Sequence, residues 1–121
     1  MRFDYSGATP LFRQVAEQIG DAMAAGSLAE GSQVPSTTEI STVYTINPAT
    51  VLKGMNLLVT QGLLEKRRGI GMFVSAGAQE KMRSMQRDRL LNEQVVDVVE
   101  QAKRLGITAA QLTEVIERSY R

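Results

Sequence analysis

Ser36-Thr37-Thr38-Glu39-Ile40-Ser41-Thr42-Val43-Tyr44-Thr45-Ile46-Asn47-Pro48-Ala49-Thr50 is the stretch that decides the fold. Ser36 followed three residues later by Glu39 is a capping-box pattern, so a helix is predicted over Thr37–Val43. Ile40 and Val43 give that helix one apolar side. Tyr44-Thr45-Ile46 leaves room only for a tight connection. Asn47-Pro48 then opens a second helix, because asparagine caps and proline's missing N–H needs no partner at a first helical position. This helix is predicted to reach about Thr60, burying Val51, Met55, Leu58 and Val59. Gly54 costs ~1 kcal/mol of intrinsic helicity relative to alanine, and a close approach between helices accounts for it.

Downstream, Gln61-Gly62 terminates the helix. Leu63-Leu64-Glu65-Lys66-Arg67 reads as a strand and Met72-Phe73-Val74 as its partner, with Arg68-Gly69-Ile70-Gly71 as a glycine-containing hairpin tip. Upstream, Thr9-Pro10 repeats the cap-plus-proline pattern and is predicted to open a first helix. Its apolar residues Leu11, Phe12, Val15, Ile19 and Met23 recur at helical spacing, and it ends near Ala25-Gly26. Ser32-Gln33-Val34 is a short edge-strand candidate, stopped by Pro35.

A short helix, a tight turn, a capped helix and a hairpin, in that order, make a helix-turn-helix with a wing. Charge agrees with this reading. The chain carries a formal net charge of only +1, yet residues 1–52 hold −3, residues 53–89 hold +5 and residues 90–121 hold −1. Lys53, Lys66, Arg67 and Arg68 fall in the basic block, which suits a polyanion.

Composition narrows the alternatives. The chain of 121 residues has no histidine and no cysteine. Imidazole bases, thiolate nucleophiles, zinc-finger metal sites and disulfides are therefore excluded. Glu17, Asp21 and Glu39 have no spacing that pairs them for acid–base work, and no cofactor motif accompanies them, so no enzyme and no cofactor are expected. Ser36 reads as a cap rather than a nucleophile. No apolar run approaches the ~20 residues of a membrane helix, and Met1-Arg2-Phe3-Asp4-Tyr5 has no signal-peptide pattern. A cytoplasmic location with no membrane partner is expected.

Beyond Ser75-Ala76-Gly77 the pattern changes. One long helix is predicted from about Ala78 to Leu105, with an apolar stripe of Met82, Met85, Leu91, Val95, Val98, Val99, Ala102 and Leu105. Gly106 breaks it. Thr108-Ala109-Ala110-Gln111 is a further capping-box pattern, opening a last helix that carries Leu112, Val115, Ile116 and Tyr120. The expected fold class is mostly α with a small β-hairpin wing: a winged helix-turn-helix over residues 1–76, then an antiparallel helix pair over 77–121.

Five segments carry a resemblance to a known family: Pro10-Leu11-Phe12-Arg13-Gln14-Val15, Val34-Pro35-Ser36, Asn47-Pro48-Ala49-Thr50-Val51, Gln61-Gly62-Leu63-Leu64 and Arg67-Arg68-Gly69-Ile70-Gly71-Met72-Phe73-Val74. In that order they resemble the winged-helix regulators of the gluconate-repressor (GntR) family, and more narrowly its short YtrA-type branch. The resemblance implies that Asn47, Pro48, Ala49 and Thr50 face a DNA duplex with Lys53 one turn later. It also places Arg67, Arg68, Gly69 and Gly71 on the DNA-contacting wing, with Ser36 and Thr38 at the start of the preceding helix. The wider family often has arginine where this chain has Thr38, Pro48 and Leu52, and threonine where it has Met72. The base-contact code therefore does not carry over.

The expected function is sequence-specific DNA binding by a transcription regulator, a repressor acting as a homodimer on an inverted-repeat operator. Leu91, Val95, Val98, Val99, Leu105, Leu112, Val115 and Ile116 are the expected dimerisation residues, since their stripe exceeds what one short partner helix covers. An effector, where one exists, is expected to be small and apolar or weakly polar, because no aromatic cage or metal-ligand set marks a more polar one. The competing reading is a winged helix that binds proteins without reading DNA sequence.

Overall fold

The computed structural model describes residues 1–121. Its order is α1 (Leu11–Ala25), α2 (Thr37–Tyr44), α3 (Pro48–Thr60), β1 (Leu64–Arg67), β2 (Gly71–Val74), α4 (Ala78–Arg89), α5 (Val95–Arg104) and α6 (Ala109–Ser119), with a π-helical turn Leu90–Gln94 between α4 and α5. No helix is long and apolar enough to cross a membrane. Contacts divide the chain into two compact units, Met1–Ser84 and Met85–Arg121. This division of contacts falls within α4.

In the first unit α1 packs on α3, and α2 closes against α3. Val15, Ile19, Met23, Ile40, Val51, Met55, Leu58, Leu63 and Val74 are fully buried between them. Each such side chain contributes roughly 1.5–3 kcal/mol of burial. Gly54 permits the α1–α3 approach, because a Cβ there would lie 2.5 Å from the Phe12 carbonyl oxygen and 2.9 Å from Val15 Cβ.

Two expectations need correction here. Pro10, not Thr9, is the N-cap of α1, and the proline carbonyl accepts from the Arg13 and Gln14 amides. The Thr9 carbonyl instead accepts from the Gln14 side-chain amide. Val43 is 70% exposed, so it does not share the buried side of α2 with Ile40. A helix this short turns only one edge to the core, and the apolar position three residues on rotates clear of it.

The wing has β1 and β2 antiparallel, in the register Leu64↔Val74, Glu65↔Phe73, Lys66↔Met72 and Arg67↔Gly71. The edge-strand candidate pairs with the free side of β2. Gln33 bridges Phe73, the Val34 amide donates to the Met72 carbonyl, and the Val74 amide donates to the Ser32 carbonyl.

The helix expected over Ala78–Leu105 is not uniformly α. The Val95 amide reaches back five residues to the Leu90 carbonyl, opening one wider turn. Helix α5 ends in a Schellman motif: Gly106 has φ +72, its amide donates to the Lys103 carbonyl, and the Ile107 amide donates to the Ala102 carbonyl. Thr108 and Gln111 form the reciprocal capping box that opens α6. Helix α6 buries no residue of its own, and Ala102 is the one buried residue of α5.

Candidate nucleic-acid interface

The helix-turn-helix is held by backbone capping at each corner. Ser36 Oγ accepts from the Glu39 amide at 3.0 Å, starting α2. Thr45 closes it at φ 53 and ψ 51, a left-handed conformation that a β-branched residue adopts at a cost. The Ile46 amide returns to the Ser41 carbonyl, and Ser41 Oγ donates to the Ile46 carbonyl at 2.6 Å. Asn47 Oδ1 then accepts from the Ala49 amide at 2.8 Å, with Pro48 in the first turn of α3. The helix start therefore faces outward already capped: Asn47, Pro48 and Ala49 are exposed and Thr50 is half-buried.

Lys53 is exposed one turn later, and its position is set by α1. Its Nζ lies 4.1 Å from the centre of the Phe12 ring, and the Arg13 guanidinium carbon lies 5.3 Å from the same ring. Two cations thus flank one aromatic ring beside the exposed start of α3. The sequence marks Lys53 but not this arrangement, because Phe12 reads simply as part of an apolar stripe.

At the wing, Arg67 is restrained. Its guanidinium carbon sits 4.0 Å from the centre of the Phe73 ring, and its Nη2 is 3.6 Å from Glu65 Oε2. The exposed ion pair itself stabilises little, but stacking and pairing together aim the guanidinium. Arg68 is exposed at the tip. Gly69 has φ +76 at the third position of the turn closed by the Ile70 amide on the Arg67 carbonyl. At Gly71 a Cβ would lie 2.6 Å from Gln33 Nε2, which donates to the Ile70 carbonyl at 2.9 Å. Gln33 thus ties the wing tip to the segment before α2, a role with no local sequence signal. Between the two glycines Ile70 is 64% exposed.

Of the sequence-predicted residues, Ser36, Thr38, Arg67, Arg68, Gly69 and Gly71 line one open groove of about 730 Å³, together with Leu52 of α3. The start of α2 and the wing form its walls. Asn47, Pro48, Ala49, Thr50 and Lys53 do not line this groove. They stand on α3 itself.

A capped helix pair, a second helix with an exposed first turn, and a basic hairpin beside it define a winged helix-turn-helix DNA-binding protein. The gntR family of bacterial regulatory proteins matches residues 11–74, over half of the chain, and the chain belongs to it. The HTH-type transcriptional repressor YtrA of Bacillus subtilis (strain 168) is 26% identical over 97% of this chain and 89% of its own length. A transcriptional regulator from Oenococcus oeni has the same fold, with a TM-score of 0.83 and 21% identity, covering 100% of this chain and 99% of that one. The AraR DNA-binding domain, solved in complex with operator ORR3, is 27% identical with a TM-score of 0.55, covering 62% of this chain and 90% of that domain. The chain is thus a DNA-binding transcription regulator of the short YtrA-type branch.

Proposed function

We propose that this protein is a cytoplasmic transcriptional repressor that binds an inverted-repeat operator as a homodimer. The observation that carries the reading is the exposed first turn of α3 beside a wing whose arginine is stacked in place. Ala49 and Lys53 face base edges in the major groove, where alanine suits a thymine methyl and lysine a guanine edge. Thr50 donates to phosphate. Ser36, Thr38, Arg67 and Arg68 follow the backbone along their groove, and Gly69 and Gly71 let the tip approach it. The repressor role is supported by the name of the Bacillus relative.

Dimerisation is supported by what the second unit leaves uncovered. Leu91, Val95, Val98, Leu105, Val115 and Ile116 are exposed, while Val99 and Leu112 are half-buried. A second copy presents the same face with two-fold symmetry, which matches a palindrome and doubles the reading surface.

The test is a titration of the purified protein onto DNA selected from a random library, and onto unselected DNA of the same length, across a salt series. A recovered inverted repeat bound far more tightly than unselected DNA, with affinity falling as salt rises, supports the proposal. Selection of no sequence overturns it in favour of a protein-binding module. Placing the recovered site over a reporter promoter distinguishes repression from activation.

A further inference from the structure

We propose that residues 2–5 act as a strap that positions the recognition helix, with Phe3 and Tyr5 as its positioning residues. The inference rests on the reading of α3 as the DNA-reading helix. Residues 2–5 lie along α1 in a regular pattern. The Gln18 side chain serves both backbone groups of Arg2: Oε1 accepts from the Arg2 amide at 2.8 Å, and Nε2 donates to the Arg2 carbonyl. One helical turn earlier, the Gln14 side chain serves Asp4 in the same way, with both bonds at 2.8 Å. Two side-chain amides at i and i+4 therefore replace an edge strand, each pairing with alternate residues of the segment. Gln14 is buried, and its amide also donates to the Thr9 carbonyl.

Alternation sends the residues between these rungs the other way. The Phe3 ring meets the Tyr44 ring edge-on, with centroids 5.1 Å apart, and the Tyr5 hydroxyl donates to the Tyr44 carbonyl. Tyr44 is the last residue of α2. Its carbonyl is one of those that a helix end leaves without an intrahelical donor. The next residue, Thr45, is the one non-glycine residue at positive φ. Two residues beyond it, Asn47 caps α3. The strap thus fastens α1 to the strained corner from which the recognition helix departs, and none of residues 2–5 lines the groove. Base reading needs α3 held within a fraction of an ångström, whereas phosphate contacts tolerate more movement. Loosening this corner therefore reduces affinity for the preferred site more than affinity for DNA in general.

The experiment compares the full-length protein with Tyr5→Phe, the double variant Phe3→Ala/Tyr5→Phe, and the conservative Phe3→Tyr. Each is titrated onto the DNA sequence that the wild-type protein selects and onto random DNA of equal length, and amide hydrogen exchange is followed at Ile46. The double variant is expected to bind the selected site about tenfold more weakly, from loss of one hydrogen bond and one aromatic contact. Its affinity for random DNA should change far less, and Ile46 exchange should accelerate. Phe3→Tyr retains both wild-type affinities. Equal weakening on both DNAs, or wild-type affinities in the double variant, overturns the strap. If the wild-type protein selects no sequence, it is the reading of α3 that fails. If it selects one that the double variant binds equally well, only the strap fails.

Discussion

Gly54 lies so close to Phe12 that a methyl group on its Cα would sit 2.5 Å from the Phe12 carbonyl oxygen. The obstacle is backbone, so relief requires α1 to move away from α3. Gly54→Ala would gain ~1 kcal/mol of helix propensity, but forcing the helices apart costs about 1–3 kcal/mol. A net loss of stability is expected, together with weaker DNA binding, because the same ring holds Lys53. Chemical denaturation checks this. A variant as stable as the wild type would mean that the helix contact yields without cost.

Thr45 presents the opposite case. At φ 53 it pays for the tight corner between α2 and α3 with a conformation that glycine adopts freely. Thr45→Gly is expected to stabilise the first unit by about 1 kcal/mol, less whatever the extra freedom of the unfolded chain removes. Thermal unfolding should show a rise of a few degrees. A fall would show that the threonine side chain contributes more than its strain costs.

These two positions show where the sequence is informative. Short-range signals translate directly: Ser36, Asn47 and Thr108 cap the helices they precede, and Gly54 sits at a helix approach. Where a signal is short but two-valued, it misleads. Thr9-Pro10 fits a cap at either residue, and Val43 fits the apolar side of α2 only if that helix buries a wider face than it does. Relationships across long separations leave no pattern at all. The Gln33 amide on the Ile70 carbonyl and the glutamines holding residues 2 and 4 depend on the tertiary fold. The sequence places Ala49 and Lys53 on α3 and Arg67 and Arg68 on the wing, where the structure has them, but it does not show the ring beneath Lys53 or the restraint on Arg67.

That restraint separates the two wing arginines. Arg68 is exposed at the tip, so Arg68→Ala should weaken binding to all DNA sequences alike and lower the salt dependence by about one counterion. Arg67→Ala should do the same and also free Glu65 and uncover Phe73. The larger loss is therefore expected at Arg67. Anisotropy titrations over a salt series measure both quantities. Unchanged slopes for both variants would remove the wing from the phosphate interface.

Lys53 and Ala49 should behave differently from the wing. Each stands exposed on α3, outside the groove shared by the wing and the start of α2. Lys53→Ala and Ala49→Ser are expected to change which sequences are preferred, at about 1–3 kcal/mol per altered base contact, while affinity for random DNA moves less. Repeating the library selection with each variant tests this. Preferences identical to wild type for both would locate sequence reading in DNA shape rather than in these side chains.

The dimer hypothesis yields the last prediction, and the packing of α4 decides where to cut. Ala78 is buried, Lys81 Nζ donates to the Gln61 carbonyl at 2.5 Å, Arg83 Nε donates to the Ala24 carbonyl at 2.9 Å, and Met82 covers Gly20. Truncation after Gly77 would strip these contacts from the winged unit and confuse loss of folding with loss of dimerisation. Truncation after Ser84 keeps them. That fragment is expected to be a folded monomer, bound to a full inverted repeat on the order of 100-fold more weakly than the intact chain because its two half-sites are no longer linked. A companion variant of the intact chain, Val98→Glu with Leu105→Glu, places charge on two exposed apolar positions without entering the core. It should likewise become monomeric while keeping its helix content. Light scattering at micromolar concentration reads the assembly state of all three. An intact chain that is monomeric would overturn the dimer, and a truncated chain that remains dimeric would move the interface away from residues 85–121.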